Sequence, residues 1–381
     1  MERPCINIVS FNVPYPPNYG GIIDVYYKLK TLHQLGVKII LHCFVYERPA
    51  APELAEVCEE VYYYQRRTGL CSNITYLPYN VYSRKDPELL QNLLKNEYPI
   101  LFEGLHTCYY LNHPKLKKRF KIYRESNIEH DYYSYLARSE NSVIKKCFFW
   151  IEAFRFKFYQ RVIAAADLSL VVSTTDTTYL QKIFPENRIE FMPSFHANDL
   201  MTIQPGASDF ILYHGKLSVV ENEKAVIYLI RNVFCRLSHT CVIAGMDPSK
   251  RIYQAAQPYP HIRIEANPSS ERMDSLIKNA QIHMLITFQD TGLKLKLLNS
   301  LFAGRHIVVN QLMVNGSGLE SLCCVADTDE AMISACNSLM DQPFTSGCIE
   351  KRESFLLPAY SNERQGKRLY SILSECKPSV T

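Results

Sequence analysis

One tryptophan in 381 residues, no C-x-x-C, no H-E-x-x-H and no G-x-G-x-x-G: the chain lacks the short signatures of zinc ligation, metalloprotease chemistry and dinucleotide binding. No run approaches the roughly 18 apolar residues of a membrane span. The amino terminus reaches a strand-like run, Ile6-Asn-Ile-Val-Ser, too early and too briefly for a signal peptide, so a cytoplasmic chain is expected. Charge of one sign is also scarce. The 42 Lys+Arg against 38 Asp+Glu leave +4, too little for wholesale nucleic-acid binding, so an electropositive function has to come from local clusters. With 20 Pro and 14 Gly, collagen-like and low-complexity classes are excluded.

What is present is an ordinary packed composition, 47% hydrophobic and 21% charged, at a length suggesting two or three domains. The 26 tyrosines put amphipathic rings at surfaces or clefts, where sugars could use them. Thirteen cysteines, an odd number scattered from Cys5 to Cys376, read as buried free thiols in a reducing compartment, the adjacent Cys323-Cys324 included.

Two stretches open alike, with a short apolar strand, a small-residue loop and a helical pattern. The first is Ile6 to Phe11, a loop ending in Gly20-Gly21, a helix over Ile22 to Leu35 stopped by Gly36, then a strand from Val37 to Phe44. Further strands are expected at Ile100 to Phe102, Lys121 to Tyr123 and Leu168 to Val172. The second begins at Asp209 and runs to His214-Gly215-Lys216, with a helix from about Glu223 to Leu237 and strands at Thr240 to Ala244, Ile262 to Glu265, Ile282 to Ile286 and His306 to Asn310. The fold class is α/β: two Rossmann-like, doubly wound domains facing a cleft, with a hinge in the Pro- and Ser-containing stretch 194–207.

Candidate chemistry sits after the strands. Gly20 and Gly21 allow close backbone approach to a phosphate or sugar, and a tight turn is the plain alternative. His214, Gly215 and Lys216 suit a phosphate. The segment 291–304 predicts a buried helix from Asp290 or Thr291 to Gly304, with Gly292, Lys296 and Asn299 on one face and Lys294 in the first turn; a diphosphate at its start would satisfy both charge and dipole, and lysines snorkelling to solvent from a surface helix are the plain alternative. In the first half, His106 follows a strand and suits a sugar hydroxyl or a proton, or is simply a satisfied structural histidine. Asn127, Glu129 and His130 follow the next one and suit an acceptor's hydroxyls, or simply start a solvated helix. Between Lys115 and Arg161, twelve Lys and Arg face five acids, and Lys145 to Arg161 mixes cations with aromatics. That stretch is either a helix laid on an anionic membrane surface or a core helix with solvated cations.

The blocks Pro16-Pro-Asn-Tyr-Gly-Gly21, Arg124-Glu-Ser-Asn-Ile-Glu-His-Asp-Tyr-Tyr133, Ala166-Asp-Leu-Ser-Leu-Val-Val-Ser173, Tyr213-His-Gly-Lys-Leu-Ser218 with Glu221-Asn222, and Gly292 to Arg305 together resemble glycosyltransferases of the GT-B fold, most of all the family-four-like bacterial enzymes. The resemblance implies an acceptor-binding domain over 1–200, a nucleotide-sugar donor domain over 207–357, and a helix over 358–378 that crosses back to the first. It implies transfer of a hexosyl unit from a nucleoside-diphosphate sugar to a glycan or lipid-linked acceptor in surface polysaccharide synthesis, without cofactor, metal or nucleic-acid partner. The roles carried over are donor binding by Gly20, Gly21, His214, Gly215, Asn222, Thr291, Gly292, Lys294 and Asn299, acceptor binding by Asn127, Glu129 and His130, and contact with the reacting groups by His106, Lys216 and Lys296. Two departures stand out. Thr291 and Asn299 occupy positions where the family often has glutamates, and Asn222 stands where it has a second phosphate-binding cation. A sugar-nucleotide epimerase on the same fold and a non-catalytic nucleotide-sugar-binding scaffold are the alternatives.

Overall fold

The computed structural model describes residues 3–69, 75–140, 142–289 and 292–376. The chain divides into two compact units, Met1–Phe195 with Thr291–Leu293 and Tyr360–Thr381, and His196–Asp290 with Lys294–Ala359.

In the first unit the strands β1 (Cys5–Ser10), β2 (Lys38–Val45), β3 (Glu60–Gln65), β4 (Ile100–Glu103), β5 (Lys121–Glu125), β6 (Leu168–Val171) and β7 (Ile189–Phe191) form one parallel sheet in the order β3-β2-β1-β4-β5-β6-β7. Alternate residues of β1 bury on opposite faces, Ile6 and Ile8 with Leu29 and Leu32, Val9 with Phe102, Tyr123 and Phe156. Burial on both faces is what a continuously apolar parallel strand requires. β3 and β7 escape the sequence reading because Glu60-Val-Tyr-Tyr-Tyr-Gln and Ile189-Glu-Phe are short and half-polar edge strands.

Helix Gly20–Gln34 covers one face and ends at Gly36, whose φ of +82° needs no Cβ. Helix Asn362–Glu375 returns to this unit and buries Leu369, Ile372 and Leu373 in the same apolar cluster. A Cβ on Gly366 would lie 2.5 Å from Thr31 Cγ2, so glycine sets the approach of the two helices.

Four charges are buried between helix Gly20–Gln34 and the sheet. Lys28 Nζ donates to Glu103 Oε1 at 2.6 Å and to Asp24 Oδ2 at 3.3 Å, and Arg124 donates to Asp24 at 3.1 and 3.3 Å. Arg124 also donates to the carbonyls of Met192 (2.6 Å) and Pro193 (3.0 Å), while the Phe195 N–H donates to Asp24 Oδ1 at 2.7 Å. Burial pushes both carboxyls up; the Arg124 and Lys28 cations overcome this at Asp24 and hold it below its usual range, whereas Glu103 stays raised. The division between units falls at 195/196, but the stretch read as a linker from 194 onward is not free chain at its start. Residues 192–196 are buried, and Asp24 and Arg124 clamp the backbone there.

The second unit holds β8 (Phe210–His214), β9 (Thr240–Gly245), β10 (Ile262–Ala266), β11 (Ile282–Leu285), β12 (His306–Val309) and β13 (Cys324–Val325), parallel in the order β10-β9-β8-β11-β12-β13. Helix Val220–Asn232 starts three residues earlier than the sequence pattern suggests, which brings Asn222 into its first turn. The described cysteines are free thiols, but not all are buried as expected: Cys147, Cys324 and Cys348 are exposed, and Cys5, Cys235, Cys323 and Cys376 are half-buried. Most tyrosines keep part of the ring in solvent, as expected, but several are buried. Tyr64, Tyr123, Tyr213 and Tyr360 are among the largest fully buried side chains, and the first three give their hydroxyls polar partners inside the fold.

Removing one member of the buried charge group strands the others. Arg124→Met and Lys28→Met should each lower unfolding free energy by about 3–5 kcal/mol, read as a lowered denaturant midpoint. A midpoint within 0.5 kcal/mol of wild type, on the order of a surface change, would show that the group is not coupled.

Candidate functional site

In each sheet the strand order reverses once, between β1 and β4 and between β8 and β11. Loops leaving neighbouring strands at such a point go to opposite faces and open a crevice at the carboxyl ends, where doubly wound folds take ligands. The loops concerned are 11–19 and 104–110 in the first unit, and 215–219 and 286–289 in the second.

In the second unit, Lys296 lies in the first turn of helix Leu295–Ala303, and Lys294 is the residue that caps it. No acid occupies that turn. Cations at a helix amino terminus oppose the helix dipole, an unfavourable arrangement that an anion would reverse. Lys296 is half-buried; its Nζ donates to Asn222 Oδ1 at 2.9 Å and to the Tyr213 hydroxyl at 3.2 Å, and lies 5.0 Å from the Tyr213 ring centre. Burial lowers its pKa to about 8, with Lys294 pushing the same way and Glu221 opposing. Asn222 in turn donates to the Lys216 carbonyl at 3.0 Å, fixing the loop after β8, and Lys216 itself is exposed at the end of that strand. Asn222 is thus a holder of Lys296, not a substitute cation. Glu221 is bound by the Thr287 hydroxyl, and Thr287 exchanges two hydrogen bonds with Asn310, which ties the loops after β8, β11 and β12 together.

The helix carrying Lys296 is fixed at its other end. Buried Arg352 donates to the carbonyls of Gly304 and Arg305, each at 2.7 Å, and Ser300 sits between His214 (2.8 Å) and His283 (3.1 Å). His214 is therefore turned into the core with a ring nitrogen spent on Ser300, contrary to its expected donor contact. At this strand end the Gly215 N–H also has a partner, the Ala244 carbonyl at 3.2 Å, and Lys216 is the exposed residue. Burial, with His283 and Lys296 adding to it, holds the His214 pKa well below its ordinary value.

The helix expected from 291 begins only at 295. Gly292 has φ +68°, a left-handed conformation that cannot continue an α-helix, so Gly292, Lys296 and Asn299 do not share a face. Gly292 groups with the first unit, where its N–H donates to Asp176 Oδ2 at 3.3 Å. Thr291 lies outside the described residues. Asn299 accepts from Asn198 at 2.9 Å and lines a pocket of about 270 Å³ with Asn198, Thr202, Asp274 and Lys278. The run Asp327-Thr-Asp329 starts a helix: Thr328 accepts from the Ala331 N–H, Asp327 from the Gln311 N–H, and Asp329 binds Tyr228.

In the first unit, Gly20 and Gly21 open the helix rather than end a loop. A Cβ on Gly21 would meet Phe11 Cζ at 2.9 Å, so that glycine admits a ring, while Gly20 faces open space. His106 follows Gly104, which turns the chain at φ +72°. Its Nε2 is 3.4 Å from Glu129 Oε2, and neither atom has a hydrogen-bond partner. Glu129 is 4% exposed, too buried to greet an acceptor as expected, and stands behind the more open imidazole. His130 is occupied by Tyr179 (3.3 Å) and Asp131 (3.6 Å), and burial lowers its pKa. The Asn127 N–H donates to Glu125 Oε1 at 3.1 Å. Glu125, which the sequence reading placed just after the strand and gave no role, instead closes β5, is buried against the Tyr123 hydroxyl, and burial raises its pKa well above the carboxylate range.

No family model matches the chain. An uncharacterized 44.6 kDa protein in the cps region of Klebsiella pneumoniae is 25% identical over 334 residues, 82% of this chain and 84% of that one. Among solved structures, HepE of Anabaena in complex with UDP and glucose superposes with a TM-score of 0.66 at 10% identity, covering 98% of this chain and 100% of that one. S. aureus TarM, solved with fondaparinux, a GlcNAc-glycerol and UDP, gives 0.65 at 8% identity over 98% and 100%. Sucrose-phosphate synthase of Thermosynechococcus elongatus gives 0.63 at 13% over 97% and 95%. The chain has a GT-B fold. The expected α/β class with two parallel sheets is thereby established, and the GT-B likeness spans nearly the whole chain.

Because Lys296 has a pKa of about 8, an anion that needs its charge should bind evenly at lower pH and lose up to tenfold in affinity per pH unit above that value, until the pKa of the complex is reached. Lys296→Arg, charged throughout, should flatten the decline. Calorimetric titration with a nucleoside diphosphate between pH 6.5 and roughly 9.5 reads this directly; a profile shared by wild type and Lys296→Arg would remove Lys296 from the site.

Proposed function

We propose that the chain moves a hexosyl unit from a nucleoside-diphosphate sugar to a hydroxyl of a glycan or lipid-linked acceptor, in the cytoplasm and in the making of a bacterial surface polysaccharide. The observation that carries this is Lys296, a half-buried cation at a helix amino terminus and a strand switch point, steadied by Asn222 and Tyr213. When the bond between the sugar's anomeric carbon and the β-phosphate oxygen breaks, charge collects on the departing diphosphate, and cations already in place stabilise it most. Lys216, Lys294, Lys296 and the helix dipole supply that charge without a metal ion. Gly20, which faces open space, gives backbone room for the donor, and Asn299 offers an amide where a carboxylate would otherwise meet it. In the first unit, His106 meets the reacting sugar with Glu129 fixing its ring, while Asn127 and the start of helix Glu129–Ser139 receive the acceptor. The surface-polysaccharide setting draws on the Klebsiella relative, and the solved neighbours bound to UDP make UDP the first nucleotide to try.

Melting should rise with one of UDP, GDP, ADP or CMP, since a ligand of the folded state at 100 times its Kd adds about 2.7 kcal/mol. The matching nucleotide sugar should then release nucleoside diphosphate when an acceptor is added. Lys296→Met should weaken nucleotide binding by roughly 10- to 100-fold, the worth of a hydrogen bond to a charged group. Conversion of the donor to an epimer with no acceptor present, or nucleotide binding without turnover on any acceptor, would overturn the proposal.

A further inference from the structure

Helix Val143–Tyr159 has two unlike faces. Glu152, Ala153 and Phe156 are buried against the first unit. On the opposite side Val143 (72% exposed), Ile144 (85%), Trp150 (44%), Ile151 (50%), Phe154 (65%) and Phe158 (50%) stand in solvent. Positions 143, 147, 150, 151, 154 and 158 fall on one stripe of a 3.6-residue helix, so the exposed apolar groups are contiguous. The core-helix alternative accounts for the inner face only. A ridge with one Trp, two Phe and three β-branched aliphatics in water is the kind of patch that marks an interaction surface.

The charges on and beside the ridge are mainly cations, although Glu140, just before the helix, accepts from the Ser142 N–H and Asp131 is exposed on the neighbouring helix. Lys145, Lys146 and Lys157 are exposed on the helix itself. The Arg138 guanidinium lies 6.0 Å from the Trp150 ring and that of Arg161 5.7 Å from the Phe158 ring. The single carboxylate of the helix, Glu152, is on the buried side, where it accepts from Arg155 and from the Tyr79 N–H. A second copy of this chain would bring the same cations face to face, which costs energy. An apolar slab bordered by anions is complementary to both features.

We propose that this face docks on a lipid bilayer carrying anionic headgroups, with the helix in the plane of the interface, Trp150, Phe154 and Phe158 in the acyl boundary and the Lys and Arg side chains at the phosphates. At 17 residues the helix lies along about 25 Å of membrane surface. It does not span, and among the described residues no helix is long and apolar enough to do so. This docking stands or falls apart from the sugar chemistry, since none of its residues is placed in the donor or acceptor site.

Trp150 is the only tryptophan, so intrinsic emission reports on this face alone. Vesicles of phosphatidylglycerol and phosphatidylethanolamine should blue-shift the emission and carry the protein into the pellet; pure phosphatidylcholine vesicles should do so weakly. Phe154→Ser with Phe158→Ser should abolish both effects. Lys146→Glu with Lys157→Glu should weaken partitioning to anionic vesicles by at least about tenfold. Both double variants change exposed positions, so unchanged melting confirms that they fold. Protein left in the supernatant with unshifted emission would overturn the proposal, as would a blue shift that grows with protein concentration in the absence of lipid and coincides with dimer in sedimentation, which would assign the face to a second copy.

Discussion

Much of the first unit depends on four charges removed from water together. Asp24 and Lys28 come from one face of a helix, Glu103 from the end of β4 and Arg124 from β5, and they balance to zero within a few ångströms. No one of them is tolerable there alone, since an unpaired buried ion costs several kcal/mol on the order of half a domain's stability. Their mutual dependence fixes more than the helix. Arg124 spends its remaining donors on the carbonyls of Met192 and Pro193, and Asp24 receives the Phe195 N–H, so the last stretch of chain before the second unit is held by the same ions that seat the first helix. Glu103 also ends the strand whose loop carries His106.

In the second unit, position is set by neutral contacts and the cation is left for a ligand. Tyr213 is wholly buried, yet its hydroxyl reaches Lys296 and Asn222 at the end of β8. Arg352 and Ser300 fix the far end and the inner face of the lysine's helix. The local conflict, lysines rather than acids in the first turn of that helix, is retained with Glu221, itself bound by the Thr287 hydroxyl, as the counter-charge from a neighbouring loop. Local violations that the surrounding structure upholds are the mark of a functional position.

Legibility in the sequence followed periodicity. Long apolar strands with clear breaks, such as Ile6 to Phe11 and Thr240 to Ala244, lie within a residue of their observed bounds, and both parallel sheets follow from them. Edge strands with few apolar residues left no such trace. Among site residues, Lys216, Lys294 and Lys296 were visible because cations are conspicuous beside apolar helices. Tyr213, Glu221 and Thr287 were not, because their roles exist only when loops from three strands meet. The glycines misled for a related reason. A missing Cβ can serve a ligand or a neighbour, and Phe11 beside Gly21 is a contact that spacing does not encode. The 291–304 helix was drawn too long because apolar periodicity continues through Leu293, whereas Gly292 decides the backbone by its φ.

The exposed ridge and the first-unit site are two sides of one helix. Phe156, on the inner face of helix Val143–Tyr159, meets the His106 ring edge-on at 5.4 Å and stacks on Tyr133 at 5.1 Å, and Glu152, one turn before it, holds the backbone at Tyr79. A shift of that helix would therefore unseat the ring that supports His106. The outer face offers water nothing to gain from staying ordered, so the helix is kept in register by its inner contacts and by helix Glu129–Ser139 beside it, whose first residue is Glu129. Whatever covers the ridge acts on an element whose inner face already meets the His106 ring through Phe156, which gives surface docking a short physical route to that ring through packed side chains.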